Sequence, residues 1–416
     1  MSGLDKNILL YPARILCLLP FVYVVVAMFF LPDGDSHINW LLIPAMVISL
    51  CYRFKISYWR IGRAQLFISP LVVYTLVLGI SYLVQGGFAS AVRPFFYSMI
   101  FLYLSEPLLP SLDRIRYLFI IAGFQLAIMT FYLHELSGIW RVGGFTNPIF
   151  WGIYAFCTAL LCLYFAETAK VKWVKVLFWL SALLSAYAVV LSGTRGVWLA
   201  SAPILVIYLI FIIKNARYPY RLIVGLGIAL GIVVFLGFGP LNARIQDALS
   251  NTHKYYSYVT STRSTEGQAP DAVFNTSVGL RLAMWRFSLS AFRESPIWGL
   301  GRNGAEEAKK RYVEEGRSPP QLMKYQKGHV HNQYLQELVM RGLIGLSALL
   351  ALIFVPIIEG WRRLRMNYWS GYAIISLSLA FAVFSLTESA FKHPYKSYVF
   401  IFYMSILFFI SGSEET

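Results

Sequence analysis

The sequence predicts an all-α polytopic membrane protein of about twelve transmembrane helices with one long, partly helical exterior loop. Three observations predict it. The chain is 58% hydrophobic and only 13% charged, whereas a soluble domain carries about 25% charge. Its apolar residues fall in runs near the length that crosses a bilayer. Its basic residues are concentrated in every second connection between those runs.

In chain order the apolar runs lie near 15–31, 38–52, 66–84, 91–105, 117–135, 149–166, 176–191, 197–213, 222–238, 335–358, 370–387 and 396–411. The second and fourth are short for a full crossing and require tilt or local thinning of the bilayer. The first follows Lys6 and Arg14, and no small-residue cleavage site precedes Pro32, so it reads as a retained span. The chain therefore divides into nine spans over 1–238, a loop with about two helices over 239–332, and three spans over 333–416. An even count puts both termini on one side.

The connections test this count. Arg53, Lys55, Arg60 and Arg63 form one basic set. It continues with Arg114 and Arg116, then Lys170, Lys172 and Lys175. Lys214, Arg217 and Arg221 follow, then Arg362, Arg363 and Arg365. These alternate with nearly uncharged connections, so the positive-inside rule makes the basic set and both termini cytoplasmic. The formal charge of +16 is then membrane anchoring. No basic stripe interleaved with stacking aromatics points to nucleic acid. Cys17, Cys51, Cys157 and Cys162 sit inside apolar runs at spacings that suit neither a zinc site nor a disulfide framework.

The exterior loop has local signals of its own. Leu282, Trp285, Leu289 and Phe292 predict a helix over Ser277–Phe292. Pro296, Gly299, Gly301 and Gly304 break it. Asn303, with Glu306 three residues on, predicts a capped second helix carrying Glu306–Lys310 and Glu307–Arg311 pairs, ended by Gly316, Pro319 and Pro320. Residues 250–276 show no helical period and are expected to stay mobile until a substrate binds.

Three exterior connections carry arginine against the charge rule: Arg141 before Val142-Gly143-Gly144, Arg195 in Ser192-Gly193-Thr194-Arg195-Gly196, and the long loop with Arg281. A guanidinium fork suits phosphate or carboxylate. Gly193 and Gly196 allow close backbone approach to an anion, and the helix that follows offers its positive end. Snorkelling to headgroups is the weaker reading of Arg195. Arg141 reads equally as an exposed charge beside a turn, and Arg281 alone reads as a surface charge. His329 and His331 share a face if the segment is extended. A third acidic or thiol group at ligand spacing is missing, which argues against a metal, while Asp33, Asp35 and Glu388 are exterior acids that keep the question open. Histidine is a suitable general base at neutral pH, and a hydrogen-bonded interfacial histidine is the plain alternative. Asn332 can orient such a base or hold a hydroxyl. Tyr255, Tyr256, Tyr258, Tyr325 and Tyr334 offer flat faces for a ring to stack on. His37, His134, His253 and His393 are assigned no role.

Taken in order, Ser192-x-Thr194-Arg195-Gly196, Gly279-Leu280-Arg281 with Trp285, Pro296 with Gly299-x-Gly301, and His329-x-His331-Asn332 resemble the O-antigen ligase family. The likeness is strongest over 140–345, and that family sits in one superfamily with O-antigen polymerases and protein O-oligosaccharyltransferases. The resemblance implies a C-type, membrane-embedded glycosyltransferase without metal or cofactor. It implies an undecaprenyl diphosphate-linked O-antigen as donor and the lipid A-core oligosaccharide as acceptor, at the periplasmic face of the inner membrane. It assigns the catalytic roles to Arg195, Arg281 and His331, and less closely matches Arg141 and His329. Inversion at the anomeric carbon would follow from direct displacement. A polymerase and a protein-directed transferase share these features. A lipid-linked sugar transporter is the reading from another class, and it requires charges at mid-membrane depth or repeated halves, which the sequence lacks.

Overall fold

This computed structural model describes residues 3–56, 65–87, 89–109, 112–214, 239–260, 273–324, 329–366 and 368–410. Every regular element among them is helical. That is how a bilayer-embedded chain satisfies its backbone N–H and C=O groups without water. Eight of the helices are long and apolar enough to cross a membrane, and the protein is a polytopic membrane protein. The expected span at 222–238 lies outside the described residues, as do Arg60, Arg63, Arg217, Arg221 and Tyr325.

The first helices are α1 (Gly3–Val26), the short α2 (Gly34–His37), α3 (Asn39–Ile56), α4 (Gln65–Gln85), α5 (Ala89–Ser105) and α6 (Leu118–Phe131). α7 (Pro148–Thr168), α8 (Lys172–Ser192) and α9 (Arg195–Lys214) follow. The last three helices are α13 (Gln333–Arg365), α14 (Ser370–Thr387) and α15 (Pro394–Ile410). α1 ends five residues before the expected limit, because the chain turns over 27–30 and Tyr23 Oη donates to Gly34 O.

α7 and α15 form the centre. Every residue of α15 is buried, and 15 of the 21 residues of α7. Asn147 starts α7 by accepting from Ile149 N at 2.9 Å and Phe150 N at 3.0 Å, with Pro148 at the first helical position. Stacked Phe29 and Tyr154, 4.2 Å apart, and edge-on Phe119 and Tyr403 lock the central helices to the turn after α1 and to α6. The outer helices turn Trp40, Val47, Leu76, Ile128 and Leu183 outward, an apolar face that suits lipid.

Between α9 and α13 lie α10 (Gly239–Thr260), α11 (Ser277–Phe292) and α12 (Gly301–Glu314), with a 3-10 turn at Pro320–Lys324. They have their own small core around Leu280, Met284, Phe287, Tyr312 and Leu322. α11 has the bounds its period predicts, with Thr276 Oγ1 capping Gly279 N. Three local expectations are corrected. α10 continues to Thr260 through residues expected to lack helical order. α12 starts at Gly301, with Leu300 as its cap and no side-chain capping bond, so Asn303 is the third residue of the helix. Gly301 sets that start. Its φ is +65°, and a Cβ there would lie 2.3 Å from Gln85 Cβ. The expected Glu306–Lys310 and Glu307–Arg311 pairs give way to Lys309–Glu306 at 2.8 Å and Arg311–Glu294 at 2.6 Å. Glu294, at the end of α11, also accepts from Tyr312 Oη and so draws Arg311 across to the neighbouring helix.

α13 is broken at Gly342, whose φ of +61° and ψ of −154° are not helical. Leu343 N donates to Pro296 O at 2.8 Å and Ile344 N to Ile297 O at 3.3 Å, while Leu300 N donates to Val339 O at 2.8 Å. The segment 296–300 is thus stitched into the break. Gln85 Nε2 at the end of α4 adds bonds to Trp298 O and Gly299 O. Just above the break, Glu337 is fully buried and receives both Nε and Nη2 of Arg341, together with Tyr74 Oη and Gln333 Nε2.

Candidate active site

Four connections meet at one end of the bundle. Val142 N donates to Leu191 O at 3.1 Å, and Arg141 Nε donates to Ser192 O at 3.3 Å. Thr194 Oγ1 donates to Pro148 O at 2.9 Å, joining the start of α9 to the start of α7. Gly193, in the left-handed region at φ +61°, closes α8, and Ser192 Oγ accepts from Thr194 N. Arg195 is therefore the first residue of α9, exposed beside the Arg141 turn. Gly196 packs so closely on the end of α14 that a Cβ there would lie 2.3 Å from Thr387 Oγ1.

Thr387 precedes Glu388, which organises the centre of the site. Its Oε2 is 3.1 Å from His331 Nδ1, and its Oε1 is 3.2 Å from Lys396 Nζ and 3.7 Å from His329 Nε2. Burial pushes the Glu388 carboxyl up, but the Lys396 ammonium and the His331 hydrogen bond outweigh it and hold it well below the usual carboxylate range. An ionised carboxylate only accepts, so Nδ1 of His331 carries the hydrogen and Nε2 is the basic nitrogen of the ring. His331 is held at φ +52°, an uncommon conformation for a residue with a Cβ and one that clusters at functional sites. Burial, and then His331, pushes the His329 imidazolium down to about 3, so His329 is neutral and makes no ion pair with Glu388. Burial, and then Lys396 and Lys392, pushes His393 down to about 4. Of these rings, His331 alone has a carboxylate on its nitrogen at hydrogen-bonding distance.

The structure brings the His329–Asn332 segment, the Arg141 turn and the Arg195 turn to this one end. Arg281 lies on α11, half-buried, one turn before Trp285, whose Nε1 donates to Val330 O at 3.2 Å. Helical spacing puts Arg281 on the face of α11 that carries this bond. Asn332 is committed to structure at both ends of its amide. Oδ1 caps Leu335 N at 3.0 Å and Nδ2 donates to Leu386 O at 3.1 Å, so its side chain anchors the start of α13 next to His331. Tyr255 is buried among the loop helices and Tyr334 Oη donates to Ala382 O, whereas Tyr256 remains exposed.

From the sequence, Lys392 and Lys396 carry no role, His393 is an ordinary loop histidine, and Glu388 is only an exterior acid that keeps the question of a metal open. The signal was present: Lys392 in the connection between the last two spans and Lys396 at the start of the final one fall on the side expected to be exterior, against the charge rule, as the arginines do. Glu388 also overturns the reason for expecting no metal. One ligand atom each from His329, His331 and Glu388 lies within 4.8 Å of the others. The donor set nevertheless does not fit an ion well. Lys396, with its side chain fully buried, places an ammonium on Oε1, and Oε2 holds the His331 proton.

Residues 180–350 match the family model described as O-antigen ligase, a segment that includes Arg195, Arg281, His329, His331 and Asn332. This part of the chain is similar to the O-antigen ligase family. An uncharacterized protein of Haemophilus influenzae is 27% identical over 223 residues, 53% of each chain. The chain spans about half the length of that curated relative.

Proposed function

We propose that this protein is an O-antigen ligase. In this reading it is an inverting, metal-independent glycosyltransferase that moves a glycan from undecaprenyl diphosphate to a sugar of the lipid A core. The reaction takes place at the periplasmic face of the inner membrane. The observation that carries the reading is the His331–Glu388 pair, set at the same end of the bundle as the Arg141 and Arg195 turns, within or beside the family-matched segment.

Each group has a task in the reaction. The acceptor hydroxyl attacks the anomeric carbon while its proton passes to His331 Nε2, and Glu388 stabilises the imidazolium that forms. The bond from the anomeric carbon to the diphosphate oxygen breaks on the opposite face. Charge grows on that oxygen, and Arg195 and Arg281 stabilise it by their guanidinium groups, with Arg141 beside them. The loop helices, tied to the His329–His331 segment through Trp285, exclude water from the reacting centre. His329 packs its neutral ring against His331, with ring centroids 4.0 Å apart.

The test is transfer by purified protein with undecaprenyl diphosphate glycan and lipid A core, chelator present, comparing wild type with His331→Ala and Arg195→Ala. Transfer to the core by wild type, abolished in both variants with unchanged melting behaviour, is the expected result. Glycan lengthening on the carrier would make the protein a polymerase. Movement of the lipid across the bilayer without transfer would make it a transporter.

A further inference from the structure

We infer that Lys396 is a positioning residue for the reaction, a built-in cation that fixes Glu388 as the carboxylate that orients His331 and balances its charge there. The inference rests on the reading of His331 as the base.

Lys396 lies in the first turn of α15, on the most buried helix of the bundle, and its side chain is fully buried. A buried ammonium is costly unless its charge and its donors are answered. Both are answered here. Nζ donates to Glu388 Oε1 at 3.2 Å and to Ser389 O at 2.7 Å, and it lies 4.7 Å from the centre of the Phe150 ring. The carboxylate is thereby neutralised on one oxygen while the other orients His331.

The consequence follows from counting charge. Glu388 is the acid that contacts His331, and Lys396 already balances it. His329 and His393 are neutral rings, and Lys392, beside Lys396, adds positive charge of its own. Arg302 and Glu306 of α12 face Lys392. Arg195 opens the helix whose Gly196 packs on Thr387. Removing the Lys396 charge would therefore leave Glu388 as an unbalanced acid held against His331. Without Lys396, Glu388 would draw a proton onto His331 in the resting enzyme and silence the base.

The test uses the full chain in detergent or nanodiscs. Lys396→Gln keeps hydrogen-bond donors toward Ser389 and Glu388 but removes the charge. Lys396→Met is a second neutral variant, and Lys396→Arg keeps the charge. Two readouts are taken: kcat/KM against pH, and the pH titration of the His331 ring followed by nuclear magnetic resonance. In the neutral variants the acid limb of the profile and the ring titration should both move to higher pH, by about one unit or more. Activity should recover at alkaline pH, and Lys396→Arg should restore the wild-type limb. A uniform loss of activity at every pH, with the limb unmoved, would reduce Lys396 to a packing role and overturn the inference. If the wild type transfers no glycan, the ring titration still decides: a midpoint that moves keeps the device and discards the proposed function, and one that does not move discards the device.

Discussion

Replacing Glu388 by glutamine tests the centre of the site most directly. The carboxylate holds His331 Nδ1 at 3.1 Å on one oxygen and Lys396 Nζ at 3.2 Å on the other. Glutamine keeps the size but loses the charge, and its amide can turn its nitrogen toward His331 and favour the wrong tautomer. A positioned general base contributes about 10²–10⁴ in rate, so transfer should fall about 10³-fold, equivalent to about 4 kcal/mol of transition-state stabilisation. Folding is affected separately. Lys396 would be left buried without a counter-charge, a change that costs about 3–5 kcal/mol in buried pairs, less whatever the amide oxygen recovers. Glu388→Asp keeps the charge but is one methylene too short to satisfy both partners, so it should melt closer to wild type while still transferring slowly. The assay is kcat and KM for glycan transfer in nanodiscs, with thermal melting on the same preparations. Transfer by Glu388→Gln within about threefold of wild type would show that His331 needs no carboxylate to act, and the proposed base would have to be abandoned.

Other perturbations separate the parts of the site. Gly196→Ala puts a methyl 2.3 Å from Thr387 Oγ1. It should lower both transfer and melting temperature, and Thr387→Ala in the same chain should restore much of each. Asn332→Ala removes the cap on Leu335 N and the tie to Leu386 O, so stability should drop by about 1 kcal/mol and kcat should fall more than KM rises. For His329 the folded-state value is about 3 against 6.5 for the free side chain. Its neutral burial therefore stabilises the fold fully above pH 6.5, and that contribution is lost as the pH falls from 6.5 towards 3. His329→Gln should flatten the acid-induced loss of stability across that window in a melting series, and an unchanged slope would count against it.

The bundle was legible in the sequence because hydropathy and charge asymmetry act on whole segments. Eleven of the apolar runs fall on described helices, and α11 has the bounds that Leu282, Trp285, Leu289 and Phe292 set. Details set by contacts between distant segments were not. The start of α12 is fixed by Gln85, more than two hundred residues earlier, and local capping logic centred on Asn303 had no access to that contact. The partners of Arg311 are chosen by where α11 ends. In the site, the arginine turns and the histidine segment stood out as charge on the disfavoured side or as polar residues at a span end. The role of Glu388 was not legible because it is set by a pairing with His331 57 residues away, and Lys396 takes its meaning from Glu388 in turn.

The break in α13 couples two parts of the molecule mechanically. In an unbroken helix Leu343 N and Ile344 N would return to Val339 O and Met340 O. Instead they bond to Pro296 and Ile297, and Val339 O is taken by Leu300. The loop helices and the last long span thus share one backbone joint. Lifting α11 and α12, as the proposed lipid-linked donor would require, must pull on the outer turns of α13, whose first residue lies two positions after His331. Opening the cover and loosening His331 from Glu388 are then one movement, so the proposed base would be armed only when the cover is shut.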